Sequence, residues 1–420
     1  MPNHGTLKVY KSDTGSDEAV IRELERTGTP PEAITEQPLP ATVPTRLRCI
    51  SKELGQVVLV LQGGGALGAY QVGVYQALHE AGVEPDWVIG TSIGAINACL
   101  IAGNAPENRM ERLREFWRRM QHSPLMELLG AWPLMGSLAA NLTTVTQGIP
   151  AFFRPNLPAF LGPHVPLGSE AASYYDTSPL ARTLSELVDF GRISGWKTRL
   201  TVGAANVRTS EMRYFDSRDM KLDGRHVIAS GALPPAFPAA RIDGDLYWDG
   251  GILSNTPVEA VFDDSPRRNS IVFATHIWNP QGPDPDTIWQ VMSRQKDIQY
   301  ASRTTSHLAR QKQIHRLRHV ITELVNRLPE ADRKTQVIKE LAAYGCLTRM
   351  HVVRLLAPPL DGDDHTKDID FSPSGIRDRW EAGYTDTSRV LELAPWTGEF
   401  DPMEGFILHE ARPGAVLTAG

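Results

Sequence analysis

The first strong pattern along the chain begins at residue 56, where Gln56-Val57-Val58-Leu59-Val60-Leu61 forms an almost unbroken β-branched and aliphatic run. Such a run predicts a strand buried on both faces, as in a parallel sheet covered by helices. It stops at a glycine cluster, after which Ala69, Val72, Tyr75 and Leu78 recur on one helical face and Gly82 supplies a stop. The pattern then repeats, with a short apolar strand at 86–90 and an apolar, small-residue helix at 93–102. Further strands are predicted at 199–207, 212–216, 246–248 and 270–278, and helices at 107–120, 179–190 and 226–232. Strands alternating with helices place the chain in the α/β class, with a mainly parallel central sheet covered on both sides.

Beyond residue 280 the texture changes. Long helical stretches at 286–328 and 330–344 are followed by a strand at 350–356 and a helix at 373–393, with a Pro-rich, acidic loop at 357–370 between them. The expected organisation is therefore a tail without sustained periodicity over 1–50, a catalytic domain over 55–280, and a mostly helical accessory region over 281–420.

Composition narrows the classes. Of 420 residues 41% are hydrophobic and 22% charged, with a formal net charge of -6, which fits a folded protein and argues against nucleic acid as a main partner. Cys49, Cys99 and Cys346 are too few and too scattered for a disulfide framework or a zinc cluster, so neither metal nor cofactor is expected, and a reducing compartment is. The N-terminal residues carry no export signal and no run of about 18 apolar residues occurs, so the expectation is a cytoplasmic protein, with peripheral membrane contact left open. Nothing in the sequence speaks to oligomeric state.

Three motifs carry chemistry. Gly90-Thr91-Ser92-Ile93-Gly94 is G-x-S-x-G between a predicted strand and a predicted helix, where a nucleophile elbow requires it. Glycines at 90 and 94 leave room for a sharp turn, and a helix start at Ser92 favours developing negative charge. A helix-capping serine flanked by glycines is the competing reading of the pentapeptide alone. The second motif, Gly63-Gly64-Gly65-Ala66-Leu67-Gly68, also matches the dinucleotide G-x-G-x-x-G spacing. That reading wants an acidic residue at the end of the second strand, where this chain has Gly90-Thr91-Ser92. Consecutive glycines can instead aim backbone N–H groups at an oxyanion, each donor commonly worth about 3–4 kcal/mol of barrier. Third, Leu246-Tyr247-Trp248-Asp249-Gly250-Gly251 delivers an aspartate from a strand into a glycine turn. Isolated Asp-Gly is usually structural, but a carboxylate at a strand end could accept the Ser92 proton.

Taken together, the glycine-rich loop, G-x-S-x-G and Asp-Gly-Gly, in that order, resemble the patatin-like phospholipase family. Ala229-Ser230-Gly231-Ala232-Leu233-Pro234-Pro235-Ala236-Phe237-Pro238 adds to the likeness, since it looks like a stretch these proteins carry shortly before the aspartate. The resemblance covers about residues 55–280. It implies a three-layer α/β/α sandwich, a Ser-Asp dyad without histidine, and hydrolysis of acyl esters in lipids. On that analogy Ser92 is the nucleophile and Asp249 the base, with Gly63, Gly64, Gly65 and Gly68 as the oxyanion loop. Gln62 departs slightly from the family pattern, and the segment after 280 resembles an extension found on some bacterial members.

Alternatives remain open at this point. A conventional triad could use His276, His351 or His365, with His276 best placed in a predicted strand. A catalytically silent lipid-binding protein on the same fold is the alternative function. Residues 128–153 contain no Asp, Glu, Lys, Arg or His and read either as a cap over the site or as an insertion packed on the domain's own core. The basic helix at 286–328, with Arg294, Lys296, Arg303, Arg310, Lys312, Arg316 and Arg318, could meet an anionic membrane, pair with a second helix, or be a solvated face over a core stripe.

Overall fold

In the computed structural model β1 (Gln56–Leu61) is buried on both faces, as its unbroken apolar sequence requires. Val57, Leu59 and Leu61 enter one apolar core and Val58 and Val60 enter a second, so the strand divides the molecule into helix, sheet and helix layers. The described residues are 54–121, 146–195, 197–360 and 363–411, with backbone only for 302–305 and 411. The tail expected over 1–50 and most of the apolar segment 128–153 lie outside them.

A turn of 3-10 helix (Gly65–Gly68) leads directly into α1 (Ala69–Glu80), and β2 (Trp87–Thr91) leads into α2 (Ile93–Ala102), followed by α3 (Pro106–Met120). Two short strands, β3 (Arg154–Pro155) and β4 (Tyr175–Asp176), form a separate ribbon ahead of α4 (Ser178–Leu187). The sheet continues with β5 (Arg199–Asn206) and β6 (Met212–Asp216), then α5 (Gly224–Ser230), β7 (Ala240–Ile242) and β8 (Asp245–Asp249). After β9 (Ser270–His276) come the 40-residue α6 (Ile288–Arg327), β10 (Met350–Leu356), α7 (Pro373–Leu393) and β11 (Phe406–Ala411). The helix expected over 330–344 is divided into Glu330–Arg333 and Gln336–Ala342, because Thr335 adopts an extended backbone between them.

The nine-stranded sheet runs β11-β10-β9-β1-β2-β5-β8-β7, with β6 also on β5. The strands from β11 to β5 are parallel, while β6, β7 and β8 pair antiparallel. The register brings three motifs together. Leu61 lies opposite Gly90 and Thr91 opposite Gly203, so the carboxyl ends of β1, β2 and β5 are adjacent. Because β8 runs the other way, its last residue, Asp249, meets Ala204 near that same end of β5. Ligands of open α/β sheets bind outside such carboxyl ends.

The chain beyond residue 280 is built into the same layers. Strands β10 and β11 extend the sheet from β9, and α7 crosses α1 so closely that a Cβ on Gly73 would meet the Trp380 carbonyl, and one on Gly383 the Tyr70 carbonyl. This contact explains why α1 is buried on nearly all sides although its sequence shows one apolar face. On the opposite layer Leu308 of α6 joins Val58, Val60 and Phe262 in the second core.

Candidate functional site

Ser92 stands between β2 and α2 with φ 56° and ψ -126°, a backbone conformation rare for a residue with a side chain. Such strain costs roughly 1–3 kcal/mol and persists only where the surroundings enforce it. Here they do. A Cβ on Gly90 would collide with the Gly94 carbonyl, and one on Gly94 with the carbonyl of Leu61. The Ser92 N–H donates to the Ser230 carbonyl (3.1 Å) and to Ser230 Oγ (3.0 Å), while Ser230 Oγ donates to the Gly203 carbonyl (2.6 Å). Ser230, from the stretch preceding the aspartate, is thus a strut tying the elbow to β5. The Ser92 carbonyl accepts from Ala95 (2.9 Å) and Ile96 (3.2 Å), which starts α2.

Asp249 is only 2% exposed. Its N–H donates to the Ala232 carbonyl (2.9 Å), and its Oδ1 accepts the Gly251 N–H at 2.7 Å. Burial pushes its carboxyl up from 3.8 to about 6, against the opposing pull of hydrogen bonding from the Ser92 side chain and the Gly251 N–H. The serine hydroxyl and the carboxylate therefore face each other across 157 positions of chain (92 to 249). Thr91 Oγ1 adds a link to the aspartate's turn by donating to the Ser254 carbonyl (3.3 Å).

The glycine loop divides into unlike members. Gly63 donates its N–H to the Asn255 carbonyl (3.1 Å), and its own carbonyl accepts from Asn255 Nδ2 (3.0 Å) and Trp278 Nε1 (2.8 Å). Gly68 packs beneath Ile93 and Trp117 and is absent from the cavity walls. Gly64 and Gly65 open the 3-10 turn, where amides have no intrahelical acceptor, and neither N–H has a partner among the described residues. Both line a cavity of about 210 Å³ together with Ser92 and Asp249. Its remaining walls are mostly apolar and include Ile93, Phe152, Phe237, Trp278, Ile369 and Phe371.

Gln62 is fully buried and holds this arrangement from below. Its Oε1 accepts the N–H groups of Ile277 (2.6 Å) and Trp278 (3.2 Å), and its Nε2 donates to Thr256 Oγ1 (2.7 Å) and to the Tyr300 carbonyl (3.2 Å). Asn255 and Trp278 were invisible as site residues in the sequence, because each reaches the glycine loop from across the fold.

None of the three candidate triad histidines lines the cavity. His276 is 2% exposed, its Nε2 has no hydrogen-bond partner among the described residues, and burial lowers its pKa to about 3. His351 Nδ1 pairs with His409 Nε2 (3.0 Å), and His365 lies tilted against Trp289. Among the described residues no group of three or more His, Cys, Asp or Glu is disposed to hold a metal ion, and no helix is long and apolar enough to cross a membrane.

Known proteins share parts of this sequence. The family model described as patatin-like phospholipase matches residues 59–262, and a second, described as patatin phospholipase, matches 298–403. Lysophospholipase nte1 of Aspergillus terreus is 52% identical over 57% of this chain and 14% of its own length. Patatin-like phospholipase domain-containing protein 6 of Mus musculus is 27% identical over 48% of this chain and 12% of its own length. A cGAMP-activated phospholipase of Pseudomonas aeruginosa is 27% identical over 48% of this chain and 54% of its own. The chain thus spans about an eighth of the first two relatives and about half of the third. Among solved structures, VipD from Legionella pneumophila has a TM-score of 0.34 at 16% identity, covering 80% of this chain and 67% of that one. The two family models between them account for both the elbow-bearing part of the chain and the part beyond residue 280, and the chain belongs to the patatin-like phospholipases.

Proposed function

We propose that the protein hydrolyses acyl esters of lipids through a covalent acyl-enzyme. Ser92 Oγ attacks the ester carbonyl as its proton passes to Asp249, and the amides of Gly64 and Gly65 receive the oxyanion. Collapse of the tetrahedral species returns the proton to the departing alcohol. Water then repeats the sequence on the acyl-serine, releasing the fatty acid and restoring both side chains. A carboxyl at about 6 is mostly ionised at pH 7 yet a stronger base than one at 3.8, which is what a dyad lacking histidine needs.

The observation that carries this reading is the meeting of the Ser92 hydroxyl and the Asp249 carboxylate in one cavity with two unengaged amides. Apolar walls support an acyl chain as the group bound. The ribbon beside the cavity supports a lipid surface as the source. Tyr174 and Tyr175 donate their N–H groups to the Pro235 and Ala236 carbonyls (3.1 and 2.9 Å), and beyond them Leu157, Phe160 and Leu161 are 75%, 60% and 77% exposed. Such a ledge fits peripheral contact.

The test is fatty-acid release from phospholipids, neutral glycerides and p-nitrophenyl esters by wild type, Ser92→Ala and Asp249→Asn. Release by wild type and background rates in both variants are expected. Wild-type rates retained by Ser92→Ala contradict the proposal, and the substrate ranking identifies the lipid class.

A further inference from the structure

We propose that residues 363–371, carried on the C-terminal part of the chain, are a working part of the hydrolytic site, with the Asp368 carbonyl positioning the two oxyanion amides and Ile369 and Phe371 closing the acyl end of the cavity. This role rests on the hydrolase reading and gives a function to a segment that lies far from the elbow in sequence.

Gly65 has φ +56°, and the Asp368 carbonyl oxygen occupies the place a Cβ on that glycine would need. The same oxygen accepts the Ala66 N–H at 2.9 Å. One carbonyl therefore fixes the peptide that follows Gly65 and, through it, the direction in which the Gly64 and Gly65 amides point. On the other flank a Cβ on Gly64 would come within 2.8 Å of Trp278 Nε1, so the loop is gripped between Trp278 and Asp368.

What holds Asp368 there is charge. Consecutive residues of α6 pair with consecutive residues of the loop in crossed fashion: Lys296 Nζ donates to Asp368 Oδ1 (2.6 Å), and Lys367 Nζ to Asp297 Oδ1 (2.8 Å). Lys296 also donates to the His365 carbonyl (2.8 Å). Farther along, the buried Arg379 of α7 binds Asp363 (2.9 Å) and Asp370 (3.1 Å), bracketing the segment. Phe371 stacks on Trp117 with ring centroids 6.3 Å apart. A stretch without regular secondary structure is thereby tied at four ion pairs, two of which are nine-tenths or more buried on their arginine side. Tyr300, one turn along α6 from Lys296, itself lines the cavity against Trp278 at 4.9 Å. Preorganised donors lose effectiveness when misplaced by fractions of an ångström, so a strap this closely tied acts on rate before it acts on binding.

Lys296→Met and Asp368→Asn each remove the Lys296–Asp368 pair while leaving Lys367–Asp297 and the main-chain carbonyl at 368 in place. Both are expected to lower kcat on p-nitrophenyl butyrate by about tenfold with KM changed by less than about twofold, and Lys296→Arg to restore most of kcat. Ile369→Trp is expected to lower decanoate turnover about tenfold more than butyrate turnover, a split that general loss of stability does not produce. Unchanged kcat in both Lys296→Met and Asp368→Asn, or a loss that tracks a falling Tm and is not rescued by arginine, overturns the positioning role. Equal effects of Ile369→Trp on both esters overturn the acyl-end role. A wild type that cleaves no ester defeats the hydrolase reading itself, whereas active wild type with indifferent variants defeats only the strap.

Discussion

Replacing Asp249 with asparagine is expected to abolish turnover and yet make the protein more stable above pH 6. The carboxyl is 2% exposed and, chiefly through burial, titrates at about 6 instead of 3.8. Between those values the folded chain holds a proton that the unfolded chain has already released, so stability falls as pH rises through the window and the full cost is present above about pH 6. Raising a carboxyl from 3.8 to about 6 corresponds to a cost of about 3 kcal/mol. Asparagine is nearly isosteric, carries no charge to desolvate, and can still accept the Gly251 N–H through its Oδ1. Urea denaturation of both proteins at pH 4 and pH 8 isolates the effect, since other titrating groups are common to the pair. The expected gain of Asp249→Asn is near zero at pH 4 and about 1–3 kcal/mol at pH 8, the lower end allowing for imperfect pairing of the new amide. A variant less stable than wild type at pH 8, or a difference that does not change between the two pH values, shows that desolvation of this carboxylate is not a cost the fold bears.

The same displacement predicts that kcat/KM rises with pH and levels off above an apparent pKa of about 6; a limb near 4 in a pH-rate profile would contradict it. Gly94→Ala pushes a Cβ into the Leu61 carbonyl and is expected to cost about 1–3 kcal/mol or more in urea denaturation and to lower turnover by distorting the elbow; wild-type stability and activity would show that the elbow tolerates the displacement. His276→Ala is expected to retain turnover within about threefold wherever circular dichroism shows it folded, because the imidazole lies outside the cavity walls and burial keeps it neutral. Complete loss in the folded variant would restore the triad.

How much of this was legible in the sequence depended on whether the constraint was local. The elbow glycines could be read because Gly90 and Gly94 collide with backbone a few residues or one strand away, and β1 because a strand buried twice must be apolar throughout. The division of labour among the glycines was hidden, since Gly63 is engaged by Asn255, 192 positions later. Gln62 stood out only as a departure from a pattern, although its four hydrogen bonds reach 194 to 238 positions along the chain. The basic row of α6 suggested solvent or a membrane; in the fold Lys296 binds Asp368, Lys312 pairs with Glu404, and Arg294 donates to the carbonyls of Asn279 and Pro280. Short strands such as β7 and β11 gave too little alternation to be recognised, and their pairing partners decide them.

The proposed catalysis depends on Ser92 carrying a hydroxyl activated by its surroundings. Incubating the purified protein with a fluorophosphonate and locating the adduct by mass spectrometry tests this most directly. One equivalent on Ser92 in wild type, none in Ser92→Ala, and strongly slowed labelling in Asp249→Asn are the predicted results. Folded wild type that takes up no label, or takes it up on another residue while Ser92→Ala labels equally well, contradicts it.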